Sequence, residues 1–322
     1  MEMRAQEAWP GVDVWDMHVH PYFEEVIGGL GPPFTGLSEA LKHSGSAHFA
    51  GDALRPISLD QTVGHLDEAG VTGAIVVNVQ SARWARPLPN ELLADRLRPY
   101  APRLRFFASV DPHAGKAAAY ELERTLREDG AIGLKLHPSY QDFAPCDREL
   151  AYPLYEICQA HGVPLLLHSG TCWLHHVPIE PSRPIHVDQV ALDFPELRII
   201  MAHGGWPWTE ELIAVMWRHR HVYVDLSGNL PRFLPPVLWH YANIGALSRK
   251  FLFGSDYPYV GPKAWLEGFA ALGSWFYPPE NRVETWRPGA KERILGRNFL
   301  DLMGPLLSGA APAAAPMPSG AR

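Results

Sequence analysis

Apolar residues gather into eight short runs, near 13–19, 72–79, 104–110, 132–136, 164–168, 198–202, 222–226 and 250–254. Each has the length of a strand rather than a helix. Helix-like stretches separate most of them. Asp60 to Gly70 ends at a glycine, as helices often do. Ala114 to Gly130 is rich in Ala, Glu, Leu and Arg, and Asp147 to Gly162 sets Leu150, Leu154, Ile157 and Cys158 on one face. Strands alternating with helices predict parallel βα units rather than a sandwich, closing into a single (β/α)8 TIM barrel.

Two interruptions break the rhythm. Residues 21–58, with Gly-Gly, Gly-Pro-Pro and Ser-Gly-Ser signals, form an enlarged loop after strand one. Residues 171–184, carrying Trp173, His175, His176 and Arg183, form another after strand five. Loops of such length in a compact domain are usually functional, so both are expected to cover a pocket. The Ala/Pro-rich tail 308–322 has no apolar period and reads as disordered, leaving 1–307 as one barrel.

The polar residues that end these runs change the picture. Five apolar segments close on His18 and His20, on Lys135 and His137, on His168, on His203 and on Asp256. Period-two alternation puts His18 and His20 on one strand face, as a chelating pair requires. In a TIM barrel the active site forms at the C-terminal strand ends, where all of these residues fall. Imidazoles with a carboxylate suit a divalent transition metal, most often Zn²⁺, with Mn²⁺ and Fe²⁺ as alternatives. Such an ion lowers the pKa of a bound water from about 15.7 toward about 7. Burying two unpaired histidines beside Asp16 for structure alone would be costly.

Composition narrows the partners. With 47% hydrophobic and 20% charged residues, the 322-residue chain can fill a large core. A net charge of -7 and the absence of any Lys/Arg cluster argue against nucleic acid and against a membrane surface. No apolar run could span a bilayer, and the first ten residues lack the apolar core of a secretion signal. Cys146, Cys158 and Cys172 have no CxxC spacing, which fits a reducing cytoplasm.

From Asp13 to about Met303 the chain resembles the amidohydrolase superfamily, specifically the amidohydrolase-related group that includes aminocarboxymuconate semialdehyde decarboxylase. The likeness rests on the HxH pair, the strand-five and strand-six histidines, Ala202–Gly205 (AHGG), Gly254–Pro258 (GSDYP) and Gly-Arg-Asn-Phe-Leu at 296–300. It implies that His18, His20, His168 and Asp256 bind one ion, with His203 as a general base or electrostatic stabiliser and Asp256 also accepting a proton. Some relatives that decarboxylate aromatic acids carry Glu at the first histidine, and His18 departs from that branch. Lys135 resembles the carboxylated lysine that bridges two metals in dihydroorotase, with His168 and His203 holding the second; one ion is favoured over two. Relatives are often dimers, so a homodimer is an expectation.

His137, Tyr140, Trp173, Arg183, Trp206 and Tyr257 are the candidates for contacting substrate, with Arg55 a weaker one. His65, His161, His219, His221 and His240 fall on helices or before strands and read as structural. The first expectation is hydrolysis of an amide, ester or lactone of a small, carboxylated molecule. Non-oxidative decarboxylation at the same site is the alternative, and a non-catalytic binding barrel a third. Shared folds and ligands serve many reactions, so the substrate is not specified.

Overall fold

A computed structural model describes residues 9–27, 56–81, 88–174 and 176–308. Arg55, His175, most of the 21–58 loop and the tail beyond 308 lie outside the described residues. The strands are β1 (Trp15–Val19), β2 (Gly73–Val77), β3 (Leu104–Phe107), β4 (Leu134–Leu136), β5 (Leu165–Leu167), β6 (Ile199–Met201), β7 (Val222–Asp225) and β8 (Phe251–Leu252). Each is followed by its helix: α1 (Leu59–Ala69), α2 (Asn90–Leu97), α3 (Lys116–Arg124), α4 (Tyr152–Ala160), α5 (His186–Asp193), α6 (Thr209–Arg218), α7 (Pro236–Ala242) and α8 (Pro262–Ala271).

All neighbouring strand pairs are parallel, in one run β1-β2-β3 and another β4-β5-β6-β7-β8. Two parallel bridges, Ala108–Leu134 and Val19–Tyr257, join the runs at both ends and close the (β/α)8 barrel. The strands are buried almost throughout, which is why they read as continuous apolar runs without polar alternation.

Local sequence explains the helix limits. Ser58 and Gln61 form a reciprocal capping box at the start of α1, and Gly70 ends it in the left-handed region at φ 72°. The 114–130 stretch is shorter than expected as α-helix, because Thr125–Asp129 continues α3 as a π-helical turn. The last described helix, α9 (Asn298–Leu307), packs beneath β1 and β8. Phe299 stacks on Trp15 at 4.8 Å, and the Asn298 amide donates to the carbonyls of Ser248 and Phe251. At Gly296 a Cβ would lie 1.9 Å from the Asp13 carbonyl oxygen, so only glycine permits this approach. An antiparallel hairpin, β9 (Ser274–Tyr277) with β10 (Arg282–Thr285), follows α8 and was not foreseen in the apolar pattern. Asn281 turns it at φ 47°.

Candidate metal centre

Asp16, His18 and His20 share one face of β1 and its end. Asp16 is wholly buried and braces β1 to the turn after β8. Its Oδ1 accepts from the His18 and Ser255 amides (3.0 and 2.9 Å), and its Oδ2 from the Ser255 hydroxyl (2.6 Å). Burial pushes its carboxyl up to about 7 against the pull of these bonds. Asp256 follows in the left-handed region (φ 68°), its amide donating to the His18 carbonyl at 2.8 Å. That turn carries the Asp256 side chain toward the two histidines.

The hydrogen bonds decide which atoms face one another. His20 Nδ1 lies 3.1 Å from the Val77 carbonyl, which can only accept, so Nδ1 holds the proton and Nε2 a lone pair. His18 Nδ1 donates to Asp225 Oδ2 at 2.6 Å, and its Nε2 accepts from Lys135 Nζ at 3.4 Å. Asp256 Oδ1 is buried with no hydrogen-bond donor among the described residues, 3.1 Å from His20 Nε2 and 3.5 Å from His18 Nε2. Two nitrogen lone pairs and a carboxylate oxygen thus converge within 4.8 Å. Without a cation between them this arrangement is costly, and a divalent ion fits it in charge and in donor type.

The surrounding field agrees. Burial, with Lys135 beside it, pushes His18 well below the ordinary histidine range. Burial also brings the Lys135 ammonium down to about 8, although Asp256 and Asp225 favour its charge. Lys135 is 1% exposed, and its Nζ is hydrogen-bonded to His18 Nε2.

His203 sits at φ 60° in the turn after β6, with Nδ1 2.9 Å from the Ser227 hydroxyl. A Cβ on Gly228 would lie 2.8 Å from that nitrogen, so the glycine admits the ring. His168 stands across from His203 (centroids 4.7 Å) but directs Nε2 to the Thr171 carbonyl at 2.9 Å, outside the His18/His20/Asp256 group. His137 is sandwiched between His168 and Tyr140, 3.6 Å from each ring. Its Nδ1 caps the one-turn helix Pro138–Gln141 by accepting from the Tyr140 amide.

Above these groups lies a cavity walled by Tyr22, Tyr140, Trp173 and Tyr259, with Lys135, His137 and Asp256 at its base. The Tyr22 and Tyr259 hydroxyls are hydrogen-bonded, and Trp173 stacks on Tyr259. Three candidates fall outside the lining. Tyr257 is buried and bonds His65 Nδ1 at 2.6 Å. Trp206 precedes α6 and is 52% exposed. Arg183 chelates Glu211 through Nε and Nη2. His161, His219 and His240 each pair with a carboxylate away from the site.

Asp225 and Ser227 escaped the sequence reading. Both belong to the buried network and close the seventh apolar run, so the strand-end rule that singled out His168 and His203 would have found them. A Cβ on Gly254 would come 2.4 Å from Asp225 Oδ1, which accounts for the glycine before Ser255-Asp256.

Comparison with known proteins bears on this geometry. The family model described as amidohydrolase matches residues 15–298. A gamma-resorcylate decarboxylase from Polaromonas sp. (strain JS666 / ATCC BAA-500) is 28% identical over 168 residues, 44% of this chain and 50% of that protein. The chain thus spans about half the length of this curated relative. Among solved structures, the uncharacterized TIM-barrel protein Bb4693 from Bordetella bronchiseptica superposes with a TM-score of 0.75 at 23% identity, covering 91% of this chain and 99% of that one. A dihydroxybenzoic acid decarboxylase from Polaromonas sp. JS666, bound to manganese and the inhibitor 2-nitroresorcinol, gives 0.64 at 19% identity, covering 91% and 97%. At these identities the two structures establish the fold.

Proposed function

The chain belongs to the amidohydrolase family, and on that premise we propose that it is a metal-dependent, non-oxidative decarboxylase of a small aromatic carboxylic acid. The observation that carries the reading is the unpartnered Asp256 Oδ1 facing two imidazole lone pairs beneath an aromatic-walled cavity. His18, His20 and Asp256 would hold the ion, with His168 as a further ligand through its remaining nitrogen. The likeness to gamma-resorcylate decarboxylase favours this chemistry over hydrolysis, the first expectation from the sequence. The manganese in a structural relative favours Mn²⁺ over the expected Zn²⁺.

When bound, a divalent ion supplies Lewis acidity and, with Lys135 beside it, a net positive site for an anionic substrate. Tyr140, Trp173 and Tyr259 confine a planar ring, and Lys135 Nζ orients an anionic oxygen at the cavity base. His203 Nε2 would take up a proton from solvent and deliver it to the ring carbon, its Nδ1 being occupied by Ser227. The bond from ring to carboxylate breaks, its electron pair takes up that proton on the ring carbon, and CO₂ leaves.

The test is turnover of a panel of hydroxybenzoates and lactones by Mn²⁺-loaded protein in ¹⁸O-water. The expected result is stoichiometric CO₂ with no ¹⁸O in the aromatic product. An ¹⁸O-labelled acid from a lactone or ester, with no CO₂ from any substrate, would overturn the proposal in favour of hydrolysis.

A further inference from the structure

Asp225 is fully buried at the end of β7. Its Oδ2 accepts from His18 Nδ1 at 2.6 Å and from the Ser227 hydroxyl at 2.9 Å, while Oδ1 accepts from the Ser227 amide at 2.8 Å. Ser227 owns a single hydroxyl proton, and a carboxylate can only accept. That proton is therefore committed to Asp225. The Ser227 oxygen, 2.9 Å from His203 Nδ1 and 3.3 Å from His18 Nδ1, must then meet both nitrogens as an acceptor, so His203 also carries its proton on Nδ1.

From this geometry we infer that Asp225 and Ser227 are positioning residues that fix the tautomers of His18 and His203 together. One carboxylate orients His18 directly and His203 through the serine. Both rings then spend Nδ1–H on the β7 end and keep an Nε2 lone pair, His18 for the ion and His203 for the proton. The neighbouring glycines suit this task. Side chains at Gly254 and Gly228 would strike Asp225 Oδ1 and His203 Nδ1 respectively, the two ends of the relay. Asparagine at 225 would offer His18 an N–H where it now finds an acceptor, turning the His18 proton onto Nε2 and blocking the ion. The inference rests on the metal reading, yet the tautomers are observable without turnover.

The experiment uses full-length protein labelled with ¹⁵N-histidine and loaded with Zn²⁺ as a diamagnetic probe. Long-range ¹H–¹⁵N spectra report the tautomer of each ring, and a chelator-competition titration reports Zn²⁺ affinity. In the wild type, His18 and His203 both appear as Nδ1–H. Ser227→Ala moves His203 toward Nε2–H and leaves His18 and the Zn²⁺ affinity near wild type; Ser227→Thr, keeping the hydroxyl, restores His203. Asp225→Asn lowers Zn²⁺ affinity about 10–100-fold, as loss of a partner behind a metal-bound histidine does. His203 as Nε2–H in the wild type, or unmoved by Ser227→Ala, overturns the inference, as does wild-type Zn²⁺ affinity in Asp225→Asn. Wild-type protein that binds neither Zn²⁺ nor Mn²⁺ but shows both Nδ1–H tautomers would sink the metal reading and uphold the relay.

Discussion

Asp256 is the one carboxylate in the His18/His20/Asp256 group, and its Oδ1 has no hydrogen-bond donor among the described residues. Asp256→Asn keeps the shape and removes the charge, so metal affinity should fall by more than the about 10–100-fold typical of an outer partner. Chelator competition measures this, and a loss below tenfold would count against Asp256 as a ligand. His18, His20 and Asp256 were legible in the sequence because strand periodicity and strand ends are local properties. That Arg183 and Tyr257 would lie outside the cavity lining was not legible, because their partners, Glu211 and His65, lie on helices whose approach is set by tertiary packing. Lys135 allows a separate test of burial. Its ammonium is brought from 10.5 to about 8, whereas the unfolded chain titrates near the ordinary value. Between those two values the unfolded state binds more protons, so the metal-free protein gains stability as pH rises, by about 3 kcal/mol at most. Lys135→Met should abolish that increment. Urea unfolding of both proteins at about pH 7.5 and about pH 10 checks it, and equal pH dependence would refute the assignment.

Among the elements, the α9 closure shows why a short motif mattered. Gly-Arg-Asn-Phe-Leu at 296–300 lets the chain touch Asp13, satisfies the carbonyls of Ser248 and Phe251, and stacks Phe299 on Trp15. Phe299 is fully buried on the side of β1 away from the metal centre. Phe299→Ala should therefore cost about 3–5 kcal/mol in urea unfolding and leave metal affinity near wild type. A comparable loss of metal affinity in the folded variant would show that α9 also sets the geometry of β1. The strands and α1 were readable from apolar runs and from the Ser58/Gln61 and Gly70 caps. The β9–β10 hairpin was not, because its strands are four residues each and only Trp275 and Tyr277 face inward. So weak an alternation is lost among the prolines and charges around it. The π-helical turns at 125–129 and 293–297 are equally invisible, since they follow the same helical pattern with one residue added per turn.

For the whole molecule, the placement of the site matters more than its composition. The barrel closes through two seams, β3 to β4 and β8 to β1, each marked by a single bridge. Three of the proposed ligands straddle the second, with His18 on β1, His20 just after it and Asp256 beyond β8. An ion held by all three would tie the first strand to the last, adding a link where the sheet is least continuous. Metal at about 1,000 times its dissociation constant stabilises the native state by about 4 kcal/mol, and that gain is shared by every amide that exchanges only on global unfolding. Amides released by local opening respond only if the opening breaks the metal site. The Met17, His20 and Asp256 amides, which donate across the β8–β1 seam to Phe253, Tyr257 and His18, should gain protection beyond the rest when metal is added. The Ala108 and Ile132 amides, which donate across the β3–β4 seam to Gly133 and Phe106, serve as the control. Native-state hydrogen exchange with and without Mn²⁺ reads both seams in one experiment. Equal gains would mean that the ion stabilises the barrel as a whole without stitching β1 to β8, and would place the ligands elsewhere than His18, His20 and Asp256.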